Sequence, residues 1–262
     1  MSVHILQKKK QQGKKISMLT CYDFPSAQII SKSSVDCVLV GDSVAMTVHG
    51  LKSTVHATME MMVLHTAAVA RGLSNQFLVA DLPFMAYRKS LEDTVENTKQ
   101  LLQAGAHAVK LEGADDFSLQ QIKHLVNSGV PVIGHIGLQP QSVLLLGGYK
   151  VQGKNTQQAQ LLLEQAYKLQ DAGCVAIVLE CIPSALAFEI TQALMIPTIG
   201  IGAGPDTDGQ VLVWHDVLAI QPQFIPKFVK QYAEVGQDTL QAIQQFHDEV
   251  EQGIFPCENY AF

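Results

Sequence analysis

Residues 77–112 read FLVADLPFMAYRKSLEDTVENTKQLLQAGAHAVKLE, and the order of patterns in this stretch decides the fold. It opens on a short apolar run, Phe77–Asp81, that ends in an acid. From Ser90 to Ala104 the apolar residues recur at helical spacing, and Gly105 supplies the usual helix stop. A second apolar run, Ala106–Glu112, follows at once and again ends in an acid. Two strands joined through a helix lie parallel, because parallel neighbours need a crossover of this length whereas a hairpin does not.

The same unit recurs in both directions along the chain. Runs at Ser17–Tyr22, Asp36–Gly41, Pro131–His135, Val175–Glu180, Pro197–Ile201 and Val217–Ile220 complete a set of eight predicted strands. Segments such as Thr156–Ala172 and Pro183–Leu194 carry the helical spacing between them, with Gly129 and Gly173 as further stops. Runs apolar on both phases, such as Val38-Leu39-Val40, mean that both sheet faces are covered. Eight such units predict an α/β fold, a single (β/α)8 TIM barrel spanning 1–262, and 262 residues is the usual size of one such domain. An open doubly wound sheet is the competing architecture. Its dinucleotide fingerprint is not matched by Gly200-Ile201-Gly202-Ala203-Gly204, which lacks the final spacing and comes late in the chain. The connection Gln139–Asn155 holds the run Gly147-Gly148-Tyr149-Lys150-Val151-Gln152-Gly153 and reads equally as a mobile lid or an ordinary surface loop. Pro226–Gly253 reads as a polar-faced helix that would assist assembly.

Hydrophobic residues make up 47% of the chain and charged residues only 16%, so much of the surface is expected in a core or a homo-oligomer interface. The net charge is −6, and the one basic tract, Lys8, Lys9, Lys10, Lys14 and Lys15, reads as a solvated helix face. Nothing here resembles the electrostatic footprint of a nucleic-acid binder, and the tract lacks the apolar h-region of an export signal. Glu60 and His65 interrupt the best apolar stretch, Met59–Ala70, short of the roughly 18 residues a membrane span needs. Cys21, Cys37, Cys174, Cys181 and Cys257 show no C-x-x-C spacing and read as reduced thiols. The expectation is a cytoplasmic protein with no membrane or nucleic-acid partner.

Asp42, Asp81, Glu112, His135 and Glu180 each close a different predicted strand. In a barrel, those ends form the active-site mouth. Residues two apart share a face, so Lys110 points with Glu112, and Asp81 with Val79. Each acid alone could serve as a helix cap or salt-bridge partner, and His135 as a satisfied core histidine. Together they pose an energetic problem. Desolvating an ionised side chain costs several kcal/mol, against a total stability of about 5–15 kcal/mol, so four gathered carboxylates require a compensating cation. Lys110 offsets one charge at most. All-oxygen donors select a hard divalent ion such as Mg2+, and a 2-oxo acid chelated to it would be primed for enolate chemistry.

Several blocks then carry a resemblance along nearly the whole chain: Leu39-Val40-Gly41-Asp42-Ser43, Ala80-Asp81-Leu82-Pro83-Phe84-Met85, Val109-Lys110-Leu111-Glu112-Gly113, Gly134-His135-Ile136-Gly137-Leu138, the Gly147–Gly153 run, Leu179-Glu180-Cys181 and Ile199–Gly204. In these blocks and their order the chain resembles the ketopantoate hydroxymethyltransferase family. The resemblance implies a barrel of the phosphoenolpyruvate/pyruvate type and transfer of one carbon from 5,10-methylenetetrahydrofolate to 3-methyl-2-oxobutanoate, giving 2-dehydropantoate in pantothenate biosynthesis. It implies a cytoplasmic homodecamer. By matching position it implies Asp42, Asp81 and Glu112 as the Mg2+ site, partly through water, with other divalent ions able to substitute. Ser43 and Lys110, with Asp42 and Asp81, would hold the oxo acid, and Glu180 would accept the proton. His135 and Tyr22 match mouth positions with an orienting role left open. The chain departs from the family pattern at Lys52-Ser53-Thr54-Val55-His56, where Asp-Ser-Thr-Leu-Pro is usual, and at Gln139, where Thr is usual. Those changes touch the loops that would border the folate pocket or subunit contacts.

Three other readings stay open from the residues. A sibling metal-dependent oxo-acid lyase or aldolase would use the same acids. A phosphate-binding barrel would use the Gly200–Gly204 loop, although no basic group stands in it. A non-catalytic barrel subunit would be expected to have lost a metal ligand, and all three are present.

Overall fold

The computed structural model describes residues 3–220 and 225–262. They fall into two compact units, one ending at Leu212 and one running from Val213 to Phe262.

The first unit is a closed barrel of eight parallel strands in chain order: β1 (Ile16–Thr20), β2 (Cys37–Val40), β3 (Phe77–Asp81), β4 (Ala108–Glu112), β5 (Val132–Gly137), β6 (Ala176–Glu180), β7 (Thr198–Ile201) and β8 (Gly209–Leu212). Its helices are α1 (His4–Gln11), α2 (Phe24–Ser31), α3 (Val44–Thr47), α4 (Met59–Gly72), α5 (Leu91–Gln103), α6 (Asp116–Asn127), α7 (Thr156–Asp171) and α8 (Ser184–Ala193). Helices α2, α4, α5, α6 and α7 each start on a side chain, Asp23, Thr58, Ser90, Asp115 or Asn155, that accepts a backbone N–H of the first turn.

Strand eight corrects the sequence reading. Val217–Ile220 is not a strand; Val217 ends the helix Trp214–Val217, and Ala219 follows with φ +51°. The closing strand is Gly209–Leu212, paired with β1 over four residues and with β7 over two. Gly and Gln have poor strand propensity, so the apolar signal there was confined to Val211 and Leu212.

Alternate residues of every strand face the barrel axis, where Ile16, Met18, Phe77, Val79, Ala108, Ile133, Val178 and Ile199 form one core. Leu6 of α1, fully buried, belongs to that core and plugs the N-terminal end. This revises the reading of the lysine run as solvated at Lys9 and Lys10, whereas Lys8, Lys14 and Lys15 are exposed. Lys9 Nζ lies 2.5 Å from Asp36 Oδ1, and Lys10 Nζ 2.8 Å from Asp208 Oδ2, which also accepts from Thr198 N at 2.9 Å. The two lysines thus tie the plug to the strand entries on opposite sides of the closure.

Asp36 also accepts from Ser17 N and Oγ, both at 2.9 Å. Burial works against its charge, but Lys9 and Ser17 outweigh burial and hold its carboxyl below the ordinary range. A depressed folded-state pKa adds stability above the unfolded value of about 3.9, lost as pH falls through the folded value. Asp36→Asn is therefore expected to destabilise the protein at pH 7 by about 1.5–3 kcal/mol, the worth of a hydrogen bond to a charged group. Urea titrations should show this difference narrowing below about pH 4, and a pH-independent gap would argue against the ion pair as its source.

All five cysteines are free, with burial pushing the Cys37 and Cys174 thiols up to about 12. In the second unit, α9 (Trp214–Val217) precedes α10 (Val235–Glu251). The predicted helix Pro226–Gly253 thus starts later than expected, at Val235, and no residue of α10 is buried. No described helix is long and apolar enough to cross a membrane.

Candidate active site

Two residues beyond the core positions Val79, Ala108, Ile133 and Val178, the same inward face presents Asp81, Lys110, His135 and Glu180, with Glu112 two further along β4. Strand register sets Asp81 opposite Lys110 and Glu112 opposite His135. Asp42 and Ser43 follow β2 directly, and the Asp42 N–H donates to Asp81 Oδ2 at 3.1 Å. Gly137, at φ +93°, lets β5 pass under β6, since a Cβ there would lie 2.2 Å from Glu180 O. Every acid that closes a predicted strand therefore meets at one mouth.

Asp42, Asp81, Lys110, Glu112 and His135 are buried, whereas Ser43 is partly exposed and Glu180 has 16% exposure. Lys110 Nζ lies 3.0 Å from Asp81 Oδ1 and 3.2 Å from His135 Nδ1. Burial opposes the lysine charge, yet Asp81, Glu112 and Asp42 together raise its pKa above the ordinary value. Lys110 has donors and no acceptor, so His135 Nδ1 accepts and the imidazole carries its proton on Nε2. That nitrogen points to Glu180 Oε2 at 3.2 Å, off the alignment of a strong hydrogen bond. Burial and Lys110 lower the His135 pKa, favouring the neutral ring.

Burial, then the Asp81 charge, pushes Asp42 up to about 7. Burial also raises Glu112 well above the carboxylate range, with Asp42, Glu180 and Asp81 adding to it. The pocket thus holds more negative charge than Lys110 can balance. Asp81 Oδ1, buried, accepts no well-aligned hydrogen bond. An all-carboxylate set that one lysine cannot neutralise fits a hard divalent cation. Among the described residues no group of three or more His, Cys, Asp and Glu side chains is placed to hold a metal ion as it stands, so ligation by Asp42, Asp81 and Glu112 would need bridging water or side-chain movement.

Beside the acids, Tyr22 OH and Ser43 Oγ share a hydrogen bond of 2.8 Å. Tyr22 is buried, which pushes its phenol up to about 12 and keeps it neutral.

The sequence reading missed Gln141. Its side chain donates to Asp42 Oδ2 at 2.8 Å and Leu82 O at 3.0 Å, its backbone N–H donates to Glu112 Oε2 at 3.1 Å, and its amide oxygen accepts from Tyr87 OH at 2.9 Å. One buried glutamine thereby holds an oxygen of each of two acids. The nearby departure Gln139 drew notice; Gln141 has no titratable group to mark it.

Compared with known proteins, the family model described as ketopantoate hydroxymethyltransferase matches residues 1–258. A 3-methyl-2-oxobutanoate hydroxymethyltransferase of Legionella pneumophila (strain Paris) is 60% identical over 262 residues, covering 100% of both chains. Among solved structures, phosphonopyruvate hydrolase in complex with oxalate and Mg++ superposes with a TM-score of 0.65 at 11% identity, over 100% of this chain and 92% of that one. A 2,3-dimethylmalate lyase of the PEP mutase/isocitrate lyase superfamily does so with a TM-score of 0.61 at 15% identity, over 99% and 91%. At these identities the structures speak for the barrel alone.

Proposed function

The chain belongs to the ketopantoate hydroxymethyltransferase family, and from that premise we propose how its mouth does the family's work. The enzyme is a 3-methyl-2-oxobutanoate hydroxymethyltransferase of pantothenate biosynthesis. The observation that carries the mechanism is the convergence of Asp42, Asp81, Glu112 and Glu180 on Lys110 and His135.

Asp42, Asp81 and Glu112 would hold Mg2+ or a related divalent ion, which when bound would supply Lewis-acid polarisation of the substrate keto group. Lys110 and Ser43 fix the oxo-acid oxygens, with Asp42 and Asp81 bordering them, and the Tyr22 hydroxyl orients Ser43. Glu180 takes the C3 proton of 3-methyl-2-oxobutanoate as a carboxylate base outside the ligand set. His135, kept neutral and pointing Nε2–H at Glu180, steadies that carboxylate. Water cleaves the two bonds between the methylene carbon of 5,10-methylenetetrahydrofolate and nitrogen, giving tetrahydrofolate and a carbon at the aldehyde level. The C3 carbon adds to it and the proton held by Glu180 passes to the new alkoxide, so one water is consumed and tetrahydrofolate and 2-dehydropantoate leave. We extend the reading to a chain that works as one barrel enzyme over 1–262, in the cytoplasm, as a homodecamer. Exposed apolar residues such as Ile29, Leu64 and Met195 support burial between subunits.

Proton NMR of 3-methyl-2-oxobutanoate in D2O tests the mechanism. The C3 proton signal should decay with enzyme and Mg2+ and persist with a chelator, and adding methylenetetrahydrofolate should convert the substrate to 2-dehydropantoate. Exchange without product would point to a sibling lyase or aldolase, and no exchange with any divalent ion would sink the reading.

A further inference from the structure

Two histidines that take no part in the acid cluster stand behind one wall of the mouth. His49 follows α3, the short helix that starts directly after Ser43, and His65 lies on α4. Their Nε2 atoms are 2.9 Å apart. The ring centroids are 5.2 Å apart with the planes at 83°, so the two nitrogens face each other along the line between the rings. Rings that share a metal ion would both turn aside toward it, whereas this head-on approach is that of an N–H···N hydrogen bond. Its direction is fixed from the other side of His65. Nδ1 of His65 lies 2.5 Å from Tyr22 O, a carbonyl that can only accept, so the neutral ring carries its proton there and Nε2 keeps a lone pair. His49 Nε2–H is therefore the donor.

His65 thus grips two segments at once. One arm holds the backbone of Tyr22. The other holds the end of α3, where the His49 N–H donates to Val44 O at 3.2 Å and Thr47 Oγ1 donates to Ser43 O at 3.0 Å. The side chains of the same two segments, Tyr22 and Ser43, meet at the mouth in their 2.8 Å hydrogen bond, which closes a ring of contacts. Histidine is the side chain that changes charge between about pH 5 and 8. A proton added to Nδ1 of His49, an exposed residue, leaves the Nε2–H donor in place. One added to His65 Nε2 sets two N–H groups against each other and opens the ring.

The elements packed against α3 and α4 bring other ionisable groups, most of them engaged elsewhere. Asp23, the cap of α2, spends both oxygens on Ser26. On α5, Asp93 pairs with Lys89 and Glu96 with Lys99, and Glu92 is exposed. The connection after α3 brings Lys52 and His56, the latter with Nδ1 3.2 Å from Ser53 O, while β2 and β3 bring Cys37 and Asp81, and α4 carries Glu60 and Arg71 in its end turns. Among the described residues none of these shares a hydrogen bond with either imidazole.

We propose that His65 is a positioning residue for the reaction and that its pair with His49 is a pH-operated latch, holding Ser43 against Tyr22 while one proton is shared and releasing it on acidification. This role rests on the reading that Ser43 holds the oxo acid.

Titration calorimetry with 3-methyl-2-oxobutanoate and Mg2+ at pH 8 and pH 5.5 tests the latch. Comparing variants at one pH cancels the titration of the mouth acids, which all of them share. His49→Leu, which removes the donor, should weaken oxo-acid binding about 2–10-fold at pH 8, the worth of one hydrogen bond, and approach the wild type at pH 5.5. His49→Gln should restore wild-type affinity at pH 8 and bind more tightly than the wild type at pH 5.5. An amide can turn either its N–H or its oxygen toward His65, so it serves both protonation states. A histidine pair that only supported the fold would shift the affinities by one factor at both pH values. That result, or wild-type affinity in His49→Leu at pH 8, overturns the latch. Ser43→Ala separates the two readings, because unchanged oxo-acid affinity there would count against the substrate placement on which the latch rests.

Discussion

Glu180→Gln is expected to lower kcat by about 10²–10⁴-fold, the span a positioned general base contributes, while the oxo acid still binds near wild-type affinity. The carboxamide keeps the shape of the side chain, so the packing around Glu180, at 16% exposure, is retained. It stands at the end of β6, beside the acids without belonging to the set that Gln141 and Lys110 hold. What the substitution removes is the basic oxygen that the proposed mechanism sets against the substrate carbon. The neutral His135 cannot replace it, because its lone pair on Nδ1 is engaged by Lys110. The measurements are steady-state turnover and titration calorimetry with 3-methyl-2-oxobutanoate and Mg2+. Wild-type turnover would remove Glu180 from the chemistry, and loss of binding alone would make it a substrate ligand.

The second large effect is expected at Gln141. Changing it to Leu keeps the volume but leaves Asp42 Oδ2 and Leu82 O without their donor and deprives Tyr87 of one acceptor. Leaving a buried polar group unsatisfied costs about 1–3 kcal/mol, so the urea midpoint should fall accordingly. More tellingly, divalent-ion affinity should drop by about 10–100-fold, the usual effect of removing a partner behind a ligand. Mn2+ binding followed by electron paramagnetic resonance reads this without turnover. Tyr87→Phe, which removes the bond behind Gln141 together with the hydroxyl's two contacts to the Glu112 backbone, should weaken Mn2+ binding in the same direction. Unchanged Mn2+ affinity in Gln141→Leu would mean that the acids hold their positions unaided.

The barrel and its acids were legible for one physical reason. A strand covered on both faces must be apolar throughout, so an acid at its end stands out. Seven of the eight predicted strands have ends within two residues of those observed. The eighth failed because Gly209 and Gln210 owe their strand state to the partners that close the barrel, β1 and β7, and local propensity says nothing of closure. Gln141 was illegible because its role lies in a contact 99 residues away in sequence. Lys9 and Lys10 looked like solvent-facing charge for the same reason, since Asp36 and Asp208 are distant in the chain.

The plug made by Leu6 and its lysine clamps means that the barrel has no back door. Everything that enters must leave by the same route, so traffic obeys a last-in, first-out order. On the proposed reaction the small oxo acid, bound among the buried acids, would board before the bulkier carrier, and spent tetrahydrofolate would depart before 2-dehydropantoate. Compulsory-order kinetics are therefore expected, in which a carrier analogue traps the oxo acid inside and lengthens its residence time.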